Sequence, residues 1–534
     1  MHRFWLLLMA VLMAALSACP SEAPDKPGYW KRALNKASSH TEKTTILSNL
    51  RKQKPQDAAF LPLLHTILTE EKSADVKVAA VRILMDMKNP ASLGPLQNTL
   101  NLKASGAYAR DLNRAIAEAL VAFKAPETEP AFLEMLKHRD SFTLFPAIEG
   151  LGQLRSKQAV PFLLEMLEEN TAQPNEQARY IMTLGQIADP SAIPALEKKL
   201  FTFPFEQDAA LALFRIGKPA ADAMLLILQE KNTSLKAWAL SNKTPIPPGA
   251  LMALATRVLG EMQEMRAENI LISKLMPATE KNKWLRQQAI SALGRMRSTK
   301  ATETLSRVVL EPEVVLRGLC AVALAQIGDK SALASLKKAT STGDFDARLG
   351  AMLGIALLGG EAELDFFNKQ MDNEHILFRK DQAQLKERCG NHPSCNERIK
   401  RLGEDRRLAL NQLKDILETS SKCGEKEPCW AEVLADSNAH SFKRQRAAFF
   451  LGRSKNPQHI EALGKQLADE DLELRVSTLL SISWLVRDEP LAASEAKKLV
   501  EPLQQQLEEE RSSIQKRGAR DEMLRVLWTL QNLP

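Results

Sequence analysis

The amino-acid sequence predicts an all-α fold, an α-solenoid of stacked helical hairpins. Three observations lead there. One short phrase is written three times between Trp284 and Leu358: Arg286, Ala289 and Leu293, then Arg317, Cys320 and Leu324, then Arg348, Ala351 and Ile355, with the arginines 31 residues apart. A basic residue followed by a small one at +3 and an aliphatic one at +7 occupies one helix face, and a period of this length marks stacked hairpins. Aromatic residues are only 5% of the 534 residues, which suits thin helix-on-helix layers. No alternating run of Val, Ile or Thr reads as a strand.

Residues 1–18 read as a secretory leader. His2 and Arg3 make a short basic start, and Phe4 to Leu16 is an apolar run too short to span a bilayer stably. The run ends in Leu16, Ser17, Ala18 and Cys19, which resembles the lipobox of bacterial lipoproteins. That resemblance implies lipid attachment at Cys19 after cleavage before it. One acyl chain anchors marginally, at roughly 0.8 kcal/mol per buried methylene, whereas two or three hold firmly. Pro20 follows the cysteine instead of the aspartate that marks inner-membrane retention in many enteric bacteria. The expected location is the cell envelope, lipid-anchored in the outer membrane and facing the periplasm. Residues 19–40, with Pro20, Pro24 and Pro27, form the lipidated, Pro-rich tether.

Residues 41–378 carry the repeats. Lys77, Ala80 and Leu84 restate the phrase with lysine in place of arginine. Apolar residues at i, i+3, i+4 and i+7 give each helix one buried stripe. Ala289 and Gly294 let neighbouring helices approach closely. Pro161 and Pro194 stand near second-helix starts, where a missing N–H costs nothing. Gln177 to Leu200 shows a whole unit, with Leu184, Gly185 and Ile187, then Asp189 and Pro190, then Ala192, Pro194 and Leu196. Val315 to Leu336 repeats it with Gln326, Ile327, Gly328 and Asp329. These residues resemble HEAT-type repeats of the short bacterial kind, also seen in phycobilisome-lyase-like proteins. The resemblance covers most of residues 45–534 and implies a right-handed α-solenoid of HEAT-like hairpins. Glu313 with Arg317, and Asp344 with Arg348, read either as a ladder like the Asp–Arg ladder of such repeats or as solvated charges. Asn242 to Gly249 is a breaker-dense loop, either a long connector or a binding element.

Residues 379–434 differ. Cys389 to Cys395 and Cys423 to Cys429 are both Cys-Gly-x4-Cys, 34 residues apart. They read as two copies of a charged helix ending in a Gly turn closed by cysteines. In an exported chain, paired cysteines are read as disulfides, and four of them allow three connectivities. The favoured pairs are Cys389–Cys395 and Cys423–Cys429, each enclosing one turn. A four-cysteine zinc site is the rival, although five intervening residues are loose for zinc. Cys320 replaces the small residue Ala289 and reads as a reduced core cysteine. Residues 435–534 return to ordinary repeats, with Arg444, Ala447 and Leu451 in phase. Leu499 to Leu507 and Arg517 to Leu530 are expected to cap the stack, and Glu508 to Arg511 suits an end that faces water.

Lys+Arg number 72 against Asp+Glu 65, a net charge of +7 that reads as a mixed helical surface. No His-Glu-x-x-His pair, Gly-x-Ser-x-Gly elbow or phosphate-binding Gly-rich loop is present. The three Ser-x-x-Lys matches lack partner motifs. Arg401, Arg406, Arg407 and the cluster Lys443, Arg444 and Arg446 lack the interleaved aromatics of a nucleic-acid surface. The sequence therefore predicts a non-catalytic, membrane-anchored scaffold without cofactor, metal or nucleic acid. Its partner is an unspecified protein or peptide of the cell envelope. The alternatives are a lyase-type enzyme or small-ligand carrier, as the HEAT-like resemblance implies, and a purely architectural envelope protein.

Overall fold

The structure is a computed structural model and describes residues 24–104, 106–169, 172–242, 245–278, 280–389, 392–510 and 517–533. Those residues are helical, with no strand among them. No helix among them is long and apolar enough to cross a membrane. The chain forms two compact units, residues 1–195 and 196–534.

The first unit contains α1 (Pro27–Lys36), α2 (His40–Lys52), α3 (Leu61–Glu70), α4 (Ala74–Met87), α5 (Leu93–Thr99), α6 (Ala107–Phe123), α7 (Glu129–His138), α8 (Leu144–Gln153), α9 (Val160–Glu169) and α10 (Pro174–Ile187). The division falls inside α11 (Ile193–Leu200). Helices α2, α4, α6, α8 and α10 stack side by side as one layer. The shorter α3, α5, α7 and α9 pack against them. Leu47, Leu64, Ala80, Leu84, Leu96, Ile116, Leu120, Met135, Leu151, Leu163 and Leu184 fill the space between and are fully buried. These are the positions of the apolar stripe, so sequence periodicity and packing coincide.

The turn inside each hairpin is built locally. Lys88 closes α4 in the left-handed conformation (φ 49°), which stops the helix. Asn89 Oδ1 then accepts the Ala91 N–H at 3.1 Å, opening a single 3-10 turn over Pro90–Ser92 ahead of α5. Ala188 (φ 60°), Asp189 and Pro190 repeat the device. The Gly-Asp of the repeat phrase is this turn.

The second unit contains α12 (Glu206–Ile216), α13 (Lys218–Leu228), α14 (Thr233–Ser241), α15 (Pro248–Glu261), α16 (Glu268–Ser273), α17 (Lys283–Met296), α18 (Thr302–Val308), α19 (Val314–Ile327), α20 (Leu333–Ala339) and α21 (Phe345–Leu358). It continues with α22 (Leu364–Cys389), α23 (Pro393–Cys423), α24 (Glu427–Ala435), α25 (Ser441–Arg453), α26 (His459–Gly464), α27 (Leu472–Asp488), α28 (Pro490–Ala496), α29 (Val500–Glu509) and α30 (Arg517–Gln531). Helices α15, α17, α19, α21, α23, α25, α27 and α30 form one continuous row. Neighbours in it touch closely: a Cβ on Gly294 would lie 2.8 Å from Ala323 Cα.

This row curls until its end meets its beginning, with α30 on α12 and α25 on α19 and α21. The C-terminal helix therefore packs on both α27 and α12. Of the charged run expected to face water, Glu508 and Glu509 are exposed, whereas Glu510 is buried with Arg475 at 2.7 Å. The fully buried Arg475 guanidinium pairs with it through both Nη atoms at 2.7 Å, so each charge compensates the other away from water.

The repeated arginines are neither solvated nor a ladder with the acids four residues before them. Glu313 and Asp344 cap their own helices, accepting from Leu316 N at 2.8 Å and Ala347 N at 2.9 Å. Arg317 is fully buried. It donates to the carbonyls of Val309, Glu311, Ala339 and Thr342 at 2.6–3.1 Å, tying together the ends of α18 and α20. Burial pushes its pKa down, while Asp344 opposes that shift. Arg286 likewise reaches the Leu275 carbonyl and Glu311, and Arg444 reaches the Leu434 carbonyl and Gln466. Arg348 instead clasps Glu374 with both nitrogens, at 2.6 and 2.7 Å. In the first unit, Asn113 fills this register and pairs with the backbone of Asn101. The position fastens one second helix to the next.

Candidate binding groove

The first unit leaves one face of its first-helix layer open. A groove of about 640 Å³ crosses α2, α4 and α6. Its lining repeats from helix to helix. Asp75, Val78, Ala79 and Arg82 on α4 stand in the same register as Asp111, Arg114, Ala115 and Glu118 on α6. Thr44, Thr45, Ser48 and Arg51 of α2 complete it. Small Ala79 and Ala115 make the floor and long charged side chains make the walls.

Three of the charges are already committed. Arg51 grips Asp86 through Nε and Nη2 at 2.6 and 3.1 Å, and that hydrogen bond raises its pKa. Arg114 donates to Asp111 at 2.9 Å and lies over the Phe142 ring at 5.6 Å. Arg82 and Glu118 are exposed and make no ion pair among the described residues. Farther along the layer, Arg179 stacks on Phe145 at 4.6 Å. The groove thus offers a free guanidinium, a free carboxylate and stacked cation–aromatic pairs.

The second unit consumes the same face internally. Counted from the repeated basic residue, Arg295 takes the register that Asp86 takes on α4. Arg295 pairs with Glu522, Arg297 with Asp488, Arg525 with Glu261 and Arg517 with Asp208. Trp484 Nε1 donates to the Arg295 carbonyl at 2.8 Å. Arg446 donates to the carbonyls of Ala356 and Gly359, and Arg453 to that of Ala325. Burial pushes these two arginines down to about 9 and about 10, so both stay charged at neutral pH. The seam is mostly charge and carbonyl, with one small apolar cluster of Phe449, Leu480 and Trp484.

The residues singled out from sequence lie elsewhere. Cys19 falls outside the described residues. Cys423 and Cys429 are joined, with Cα atoms 5.4 Å apart. Cys395 is disulfide-bonded, and the side chain of Cys389 lies outside the described residues. Cys320 is a free, fully buried thiol whose pKa burial pushes up. Among the described residues no group of three or more His, Cys, Asp or Glu is arranged to hold a metal. Arg82 and Glu118 were not singled out from sequence. Register counting from Lys77 and Asn113 places both off the core stripe, and that is the one signal that could have found them.

Residues 102–174 match the family model described as HEAT repeats. Together with the stacked hairpins, this shows that the chain carries HEAT-like repeats. No curated protein sequence matches the chain. Among solved structures, karyopherin Kap121p bound to the extreme C-terminus of the protein phosphatase Cdc14p is similar at 14% identity and TM-score 0.43, over 95% of this chain and 67% of that one. Kap121p bound to Pho4p is similar at 12% identity and TM-score 0.38, over 93% of this chain and 52% of that one. The complex of CpcE and CpcF of phycocyanin lyase from Nostoc sp. PCC7120 is similar at 16% identity and TM-score 0.23, over 57% of this chain and 97% of that one. The chain spans about half to two thirds of the length of these Kap121p chains.

Proposed function

We propose that this protein is a non-catalytic scaffold, anchored in the cell envelope through lipid on Cys19, that binds a periplasmic protein or peptide in the groove across α2, α4 and α6. One observation carries the reading. The face that the second unit closes with its own C-terminal helices stays open in the first, and it presents Arg82 and Glu118 with their charges uncommitted. Exposed side chains of both signs in a repeating register suit an extended or helical segment held by many modest contacts. The leader and lipobox support the anchor and the envelope location, since both features occur together in one short stretch.

The test is crosslinking in intact cells, followed by capture of the solubilised chain and mass spectrometry. One exported partner is expected at near-stoichiometric yield. Recovery should drop at least five-fold in the Arg82→Glu/Glu118→Lys variant, with unchanged circular dichroism. Equal recovery from the variant would overturn the groove as the site. A Cys19 peptide without acyl chains would overturn the anchor.

A further inference from the structure

A second surface lies on the hairpin of α22 and α23. These helices have 26 and 31 residues, and beyond their base they have only each other to pack on. At about 1.5 Å per residue, the stretch 393–409 alone runs about 25 Å. Ile399 is its single buried apolar side chain there, while Ile376, Leu402 and Leu408 are exposed. Two helices cannot cover each other's apolar stripes as a bundle of three or four does.

Between the two arms runs a groove of about 640 Å³. Its floor is Phe378, Ile399 and Gly403, and a Cβ on Gly403 would lie 2.7 Å from the Phe378 ring. Its walls carry Lys386, Lys400 and Arg407, with Glu404 the lone carboxylate. Residues 379–407 hold nine Lys and Arg against five Asp and Glu. Three of those bases line the groove, against one carboxylate. Arg401 is paired with Glu397 and Arg406 with Asp381, whereas Lys386, Lys400 and Arg407 pair with no carboxylate among the described residues. Arg406 also stacks between Phe345 and Phe378, which fixes the base of the hairpin. Cys395 is disulfide-bonded near the far end, and Cys423–Cys429 ties the near end of α23 to α24.

We infer that this groove docks an acidic amphipathic helix of a protein partner as the third helix of a bundle. Its apolar face would lie on Phe378 and Ile399, and its carboxylates would meet the three uncommitted cations. Both arms are already helical and packed on each other, so little ordering cost falls on binding. This surface is independent of the groove across α2, α4 and α6.

The experiment uses the full chain in detergent and a fluorescein-labelled helical peptide of 21 residues with Leu on one face and Glu on its flanks. Its twin carries Lys for every Glu. The acidic probe is expected to bind saturably, and at least ten-fold more weakly to the Lys386→Glu/Lys400→Glu/Arg407→Glu variant. All three side chains are exposed, so circular dichroism should not change. A Lys455→Glu control and the Arg82→Glu/Glu118→Lys variant should bind like the parent chain. Equal binding of both probes, or equal binding by the triple variant, would overturn the inference. So would retention of the chain on phosphatidylglycerol vesicles, lost in the triple variant, with no probe binding. Sedimentation that shows a dimer dissociated by the triple variant would assign the groove to a second copy and overturn it too.

Discussion

Arg295 and Glu522, 227 residues apart in sequence, meet with Nη2 at 2.8 and 2.9 Å from the two carboxylate oxygens. Burial alone would raise the Glu522 carboxyl, yet the guanidiniums of Arg295 and Arg525 hold it below its usual range. Removing Arg295 leaves the buried Glu522 to Arg525 alone, which Glu261 shares. Arg295→Ala is expected to cost roughly 3 kcal/mol, read from the urea midpoint. The double variant Arg295→Met/Glu522→Leu should lose less than the single one. If the double variant loses as much as both singles combined, the pair is not coupled.

Arg317 tests the fastening role of the repeated position. Arg317→Met leaves several buried carbonyls without a donor, each worth about 1 kcal/mol or more. A loss of roughly 3 kcal/mol or more is expected, with Arg317→Lys intermediate because one ammonium cannot reach both helix ends. Glu313→Ala should cost only about 1 kcal/mol, the value of an N-cap. A ladder would make the Glu313 and Arg317 losses similar, which calorimetry would reveal.

Glu197 sets a pH dependence. Burial pushes its carboxyl up to about 7, and the Asn232 amide at 3.0 Å only partly opposes this. The folded state therefore holds the proton more tightly than the unfolded chain. Its contribution is full below pH about 4.5 and is lost as pH rises through about 7. Glu197→Gln should flatten this part of the stability profile and stabilise the protein by roughly 3 kcal/mol at pH 8. A profile unchanged by the substitution would refute the assignment.

The Cys423–Cys429 link closes a loop of sequence separation 6. Cys423→Ser/Cys429→Ser should cost about 2 kcal/mol by loop entropy. It should also loosen Trp430, whose Nε1 donates to the Gly424 carbonyl at 2.9 Å. Amide exchange slowed less at Trp430 than at Trp484 would report that local loosening. Equal protection at both would show that the clip is redundant.

Architecture was legible because it is local. The 31-residue spacing, the apolar stripe and the Gly328-Asp329 turn each act within a few residues. Roles that depend on distant chain were not. Glu313 and Asp344 sit four residues before an arginine, a spacing that suits a ladder, but an acid just ahead of a helix finds free N–H groups first. Arg82 and Arg295 both lie off the core stripe, with nothing in their local sequence to separate their roles. What separates an open face in one unit from a filled one in the other is closure over hundreds of residues, and no local pattern encodes it. Glu510 misled for the same reason, since its partner Arg475 lies 35 residues away.

The meeting of α30 with α12 changes how the second unit carries load. An open stack of hairpins extends like a spring, each repeat yielding a little. Here the last coil is tied to the first by guanidinium–carboxylate pairs, so tension between its two ends reaches the seam before it reaches any single hairpin. Such a body resists as a hoop and gives way in one event.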